Sequence, residues 1–309
     1  MQHQVAGLRV LDGGLATELA SRGQDISGAL WSARVLRENP EAIEQLHYDY
    51  FAAGACCATT ASYQASYEGF ATIGLGADET TALLRRSVEL AKSARTRYRQ
   101  DHPADRRELW VAASVGPYGA ILHDGSEYRG DYGLTVDQLV AFHARRFEVL
   151  AMSGADLLAC ETIPVLDEAR ALATLLARHP GTRAWMTFTS PDGANTSHGE
   201  PLTDCARCLD RIPNIAAIGV NCVRPEIVGD AIRALRAGST KPIVVYPNSG
   251  EQWNAGTQDW SGSRTEASFG ESAAQWVDSG ASLVGGCCRI GTREIASFAA
   301  RLQSISLSR

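Results

Sequence analysis

The sequence predicts a closed (β/α)8 barrel, a single α/β domain spanning residues 1–309, and three observations carry that expectation. Strand-like and helix-like runs alternate along the whole chain, which implies a parallel sheet with helices packed against it. Eight such pairs at 309 residues match the size of one barrel. No G-x-G-x-x-G follows the first strand, where a doubly wound sheet would cradle a dinucleotide.

The first run, Arg9-Val10-Leu11, ends in Asp12-Gly13-Gly14, which reads as strand then loop. A helical pattern opens at Pro40-Glu41 and closes at Gly54, the expected placement of proline and glycine about a helix. Further strand runs lie at Ala55 to Ser62, Leu109 to Val115, Asp156 to Cys160, Ala184 to Thr189, Ile215 to Val220, Pro242 to Tyr246 and Ser282 to Gly285. Helical patterns fill the gaps at Asp78 to Arg99, Thr135 to Ser153, Leu166 to Arg178, Leu202 to Arg211, Arg224 to Ala237, Ser272 to Ser279 and Thr292 to Leu302. The stretches Ser21 to Glu38, Tyr118 to Gly133 and Asn248 to Gly270 read as loops after strands.

Composition narrows the partners. A net charge of -6 gives no electrostatic reason to bind nucleic acid or an anionic membrane. No apolar run reaches the length of a membrane span, and Met1 to Gln4 lacks the start of a signal peptide, so the expected compartment is the cytoplasm. In a reducing compartment the eight cysteines point to metal ligation, catalysis or packing before disulfides. Cys56, Cys57 and Cys160 sit in apolar strand runs, and Cys205 and Cys208 lie i and i+3 on a helix; packing is expected for all five.

Barrels of this kind place their chemistry at the C-terminal ends of the strands. Cys222 stands at such an end after Gly219-Val220-Asn221, and Cys287-Cys288 follow Gly285-Gly286 at another. A buried cysteine is ordinarily a small hydrophobe, and a Cys-Cys pair is no zinc-finger signature. Brought to one mouth, however, Cys222, Cys287 and Cys288 would form a three-thiolate Zn²⁺ site with one open position.

Six stretches together resemble the zinc-dependent homocysteine S-methyltransferases: Leu11 to Leu19, Leu30 to Ala33, Cys160 to Pro164, Gly219 to Cys222, Val245 to Glu251 and Gly285 to Arg289. The resemblance runs from the first strand to the last. It implies zinc on Cys222, Cys287 and Cys288, with the homocysteine thiol at the open position, and it maps amine recognition onto Asp12 and Glu161. A thiol must ionise to attack a methyl group, and coordination to zinc favours that ionisation near neutral pH. Backbone around Gly13, or the loop containing Thr60, is expected to receive the carboxylate, and Asn221 joins the expected substrate-binding residues.

The methyl donor must be activated. A sulfonium such as S-methylmethionine or S-adenosylmethionine fits, and such a cation could rest on the face of Trp31, Trp253 or Tyr63. Leu30 to Ala33 and Tyr246 to Glu251 are more similar to the sulfonium-using branch than to the betaine-using one. Trp253-Asn254 and Ile290 depart from the family pattern, the first at the expected donor side. The competing readings are a betaine-type methyltransferase and a zinc or thiol redox-sensing barrel. The sequence leaves the oligomeric state open.

Overall fold

The computed structural model describes residues 8–26, 31–254, 259–262 and 268–306. Eight parallel strands form a nearly closed barrel: β1 (Arg9–Val10), β2 (Cys57–Thr59), β3 (Trp110–Val115), β4 (Leu157–Ile163), β5 (Ala184–Phe188), β6 (Ile215–Asn221), β7 (Ile243–Tyr246) and, after a small antiparallel pair β8 (Gln252–Asn254) and β9 (Asp259–Ser261), β10 (Ala281–Val284). Neighbours run β1-β10-β7-β6-β5-β4-β3-β2. The remaining gap lies between β1 and β2. There the Cys56 amide donates to the Val10 carbonyl at 2.7 Å, and the Asp12 carboxylate accepts from the Thr59 amide at 2.6 Å and the Thr59 hydroxyl at 2.9 Å. One acid after the shortest strand thus seals the ring.

The principal helices follow the predicted pattern: α3 (Pro40–Ala52), α5 (Ala77–Asp101), α6 (Val136–Ala151), α7 (Leu166–Ala177), α8 (Leu202–Asp210), α9 (Val228–Gly238), α10 (Phe269–Asp278) and α11 (Thr292–Ser306), with α1 (Leu15–Ser21), α2 (Trp31–Glu38) and α4 (Tyr67–Thr72) as additions. Their spacing explains them. In α3 proline opens the first turn, and Ile43, Leu46, His47, Tyr50 and Phe51 repeat at helical spacing on its buried face. Before α6 the Thr135 hydroxyl accepts from the Gln138 amide while the Gln138 side chain accepts from the Thr135 amide, a reciprocal cap.

Two apolar layers result. Leu11, Cys57, Trp110, Trp185, Val244 and Leu283 fill the barrel interior, and a larger layer including Cys160 and Cys205 lies between strands and helices. Fully burying one such aliphatic side chain stabilises by about 1.5–3 kcal/mol. The buried Cys56, Cys57, Cys160 and Cys205 and half-buried Cys208 pack as expected.

Three predicted loops hold structure. α2 lies in the stretch from Ser21 to Glu38, two 3-10 turns at Tyr118–Ile121 and Ser126–Tyr128 lie in the second, and β8 and β9 in the third. β4 continues through Ile163, three residues beyond the predicted end, and α10 begins at Phe269 instead of Ser272. Among the described residues no helix is long and apolar enough to cross a membrane.

Candidate metal centre and substrate cavity

A cavity of about 700 Å³ opens at the C-terminal ends of the strands, and Asp12, Glu161, Cys222, Cys287 and Cys288 all line it. β6 ends at Asn221, and Cys222 then takes a left-handed backbone, φ 53°, while its amide donates to the Tyr246 carbonyl at 3.2 Å. That turn is uncommon for a residue with a Cβ. On the other side Gly286 donates to the Asp12 carbonyl at 3.0 Å, Cys287 to the Pro247 carbonyl at 2.8 Å and Cys288 to the Asn248 side chain at 3.1 Å. A Cβ on Gly286 would stand 2.1 Å from the Ile290 side chain, so only glycine fits beneath the pair.

The three Sγ atoms lie within 4.8 Å of one another. For a Zn–S bond of about 2.3 Å, a tetrahedral edge is about 3.8 Å. The Cys222–Cys288 separation is 3.9 Å, and the Cys222–Cys287 separation of 2.7 Å would have to open by about 1 Å to match that edge. Hydrogen bonds from the thiols of Cys287 and Cys288, and from the Tyr128 hydroxyl at 3.7 Å, hold the Cys222 thiol well below its usual pKa. The anion so favoured pushes Cys287 and Cys288 well above theirs. Three soft sulfurs sharing negative charge at a cavity wall fit a metal ion, whose binding releases the remaining protons.

The two predicted carboxylates line the same cavity. Burial raises the Asp12 carboxyl to about 7 against the two bonds from Thr59. Burial likewise raises Glu161 to about 7, although the hydroxyls of Ser114 and Tyr246 donate to it. Neither pairs with a cationic side chain among the described residues, so both are ready for a cation from outside.

The other predicted residues divide. Gly13 and Thr60 line the cavity. A Cβ on Gly13 would stand 2.2 Å from the Ile290 carbonyl, and the Thr60 hydroxyl is engaged with the Ser62 hydroxyl at 2.7 Å and the Ser114 amide at 3.0 Å. Asn221 lines the cavity too, but its amide is occupied: its oxygen accepts from the Thr162 amide and Thr187 hydroxyl, each at 2.7 Å, and its nitrogen donates to the Thr162 hydroxyl at 2.8 Å. It thereby braces the left-handed backbone of Thr162, φ 63°. Tyr63 lines the cavity, whereas the side chains of Trp31 and Trp253 lie outside the described residues. Sequence reasoning missed Glu127 and Tyr128, which reach the cavity from the second 3-10 turn of the loop after β3. The signal available was only that a long loop follows that strand.

A sequence model described as homocysteine S-methyltransferase matches residues 9–302. Homocysteine S-methyltransferase YbgG of Bacillus subtilis (strain 168) is 47% identical over 300 residues, covering 96% of this chain and 95% of the relative. The homocysteine S-methyltransferase of Escherichia coli (strain K12) is 48% identical over 293 residues, 94% of each chain. The crystal structure of the metallated form of the homocysteine methyltransferase MmuM from Escherichia coli superposes with a TM-score of 0.87 at 45% identity, covering 96% of both chains.

Proposed function

The chain belongs to the homocysteine S-methyltransferase family and transfers methyl groups to homocysteine, and from that premise we propose that Cys222, Cys287 and Cys288 hold Zn²⁺ and that the donor is a sulfonium, S-methylmethionine or S-adenosylmethionine. The convergence of the three thiols beside two buried, cation-free carboxylates carries this reading. The metal itself is supported by the sulfur cluster and by the metallated relative; zinc is favoured because soft thiolates select it over harder-ligand ions. Zinc held by these thiolates would favour the ionised form of a substrate thiol near neutral pH.

The protein's own groups do the rest. Asp12 and Glu161 receive the acceptor's ammonium between them, which aims its thiol at the sulfur cluster. Gly13 and the loop at Thr60 lie where the carboxylate would rest, and Asn221 contributes by fixing the Thr162 turn. Tyr128 steadies Cys222 through its hydroxyl. Residues 1–309 are read as one barrel domain, and ligand thiols that must stay reduced favour a cytoplasmic enzyme.

Assays of zinc-loaded protein with homocysteine and S-methylmethionine, S-adenosylmethionine or betaine in parallel decide the donor. Faster turnover with betaine than with either sulfonium would sink the donor assignment. Thiol titration with and without chelator tests the metal assignment, since metal-held thiols are masked and released together.

Amine recognition has a pH signature. Burial lets free Asp12 and Glu161 keep their protons up to about pH 7, well above the usual carboxylate range. For each, the stability of the raised carboxyl is present at acid pH and lost as pH rises through about 7, so an ammonium that pairs with them offsets more at higher pH. Methionine, which has the amine and no thiol proton, is expected to bind more tightly, and to raise Tm more, at about pH 8 than at about pH 6. Glu161→Gln is expected to flatten that dependence and weaken methionine about tenfold or more, the scale of a lost buried charge pair. A pH-independent Kd in the wild type would refute the assignment.

A further inference from the structure

We infer that Glu127 is the counter-charge that binds the cationic methyl donor, with Tyr63 and Tyr128 beside it, and so selects positively charged donors over neutral ones. This deepens the sulfonium reading above and rests on it. Three carboxylates line the cavity, and two, Asp12 held by Thr59 and Glu161 held by Ser114 and Tyr246, are the ones assigned above to the acceptor's ammonium. Glu127 differs, because its Oε2 is buried and has no hydrogen-bond partner among the described residues. A buried carboxylate oxygen left unpaired is costly, and proteins keep such groups where a partner arrives from outside.

The charges around it are mostly of its own sign. Burial raises Glu127 to about 7, and Cys222 and Asp124 add to the shift, while Arg129 opposes it weakly. Arg129 faces Asp124 at 3.5 Å and Asp131 at 3.4 Å and is half-exposed, and Arg289 on the cavity wall pairs with Glu251 at 2.8 Å, so neither arginine is given over to Glu127. The anion also influences Tyr63 and Tyr128, two cavity aromatics whose rings suit a cation. Tyr128 is the residue that reaches Cys222 at 3.7 Å, which puts this corner next to the sulfur cluster. The backbone is fixed too: the Thr189 hydroxyl donates to the Glu127 carbonyl at 3.5 Å, and a Cβ on Gly119 would stand 2.4 Å from the Glu127 amide.

The chemistry sets what should change. In the transfer the acceptor sulfur forms a bond to the methyl carbon while the donor's S–CH₃ bond breaks, and its electron pair stays on the departing sulfur. The donor's positive charge therefore fades on the way to the transition state. A carboxylate beside it favours the bound donor at least as much as the transition state, so its loss should raise the donor's KM and lower kcat far less.

The test uses zinc-loaded enzyme with homocysteine and S-methylmethionine. Glu127→Gln is expected to raise the KM for S-methylmethionine about tenfold or more, as a lost desolvated charge pair does. The KM for homocysteine and the bound zinc should stay unchanged, and Glu127→Asp should recover part of the loss. In the wild type, homoleucine, the neutral carbon isostere of S-methylmethionine, should compete with the donor at least about tenfold more weakly than S-methylmethionine binds. An unchanged donor KM in Glu127→Gln, an equal rise for homocysteine, or equal binding of the isostere overturns the inference. Absence of transfer from every sulfonium in the wild type would instead overturn the donor reading on which it rests.

Discussion

Replacing Cys288 by alanine is expected to remove bound metal and to lower methyl transfer by about a thousandfold or more, while the barrel keeps its fold. If Cys222, Cys287 and Cys288 hold the metal as proposed, the two thiolates left would not keep it against dilution or chelator. Cys288 can be cut back safely because it is half-buried at the rim and the described bonds of its backbone run to the Asn248 side chain and the Ser249 amide. The metal-to-protein ratio after gel filtration and the turnover number check this together, with far-ultraviolet circular dichroism as the control. Full activity in the presence of chelator would remove the metal from the mechanism. Cys222→Ala should behave alike in metal loss, and because cysteine already carries a Cβ at that left-handed position, alanine adds no backbone strain there.

Gly219→Ala is expected to destabilise the protein by more than about 4 kcal/mol, enough to leave most of it unfolded or insoluble. Gly219 pairs with Val244 across β6 and β7, and a Cβ there would stand 1.6 Å from the Val244 carbonyl oxygen and 2.6 Å from its carbon. The obstacle is backbone inside a closed ring, so no rotamer change relieves it, and the strands must part. β6 carries Asn221 and leads into Cys222, so the site fails along with the pairing. Gly181→Ala is the control: nothing lies within 4 Å of its added methyl, and a change within about 0.5 kcal/mol is expected. Denaturant melts of both variants give the comparison, and a Gly219→Ala protein as stable as the wild type would mean that β6 and β7 are spaced differently.

The sequence made the barrel legible because strands and long helices carry strong apolar periodicity. α5 and α6 repeat their buried positions over several turns, whereas α1, α2 and α4 have only 7, 8 and 6 residues, too short for a periodic pattern to stand out. The sulfur cluster was legible for a different reason. Glycines forced by close backbone approach and cysteines at strand ends leave a local trace, and the fold rule that gathers strand ends then brings residues 222, 287 and 288 together. Glu127 and Tyr128 left no such trace, since an acid and an aromatic in a long loop look like any solvated turn until the loop folds back over the mouth. The occupied amide of Asn221 is likewise invisible in one dimension: its partners Thr162 and Thr187 lie 59 and 34 residues away.

Asp12 joins β1 to β2 through Thr59 at the one seam where strand pairing is thin. If the same carboxylate also grips the acceptor's amine, then recognition and ring closure compete for one side chain. Laboratory evolution toward acceptors without an amino group would then have to start elsewhere, because discarding this acid unfastens the scaffold before it broadens the repertoire. Any successful lineage should first acquire new bonds between the opening turn and the second stave, and only afterwards alter residue 12.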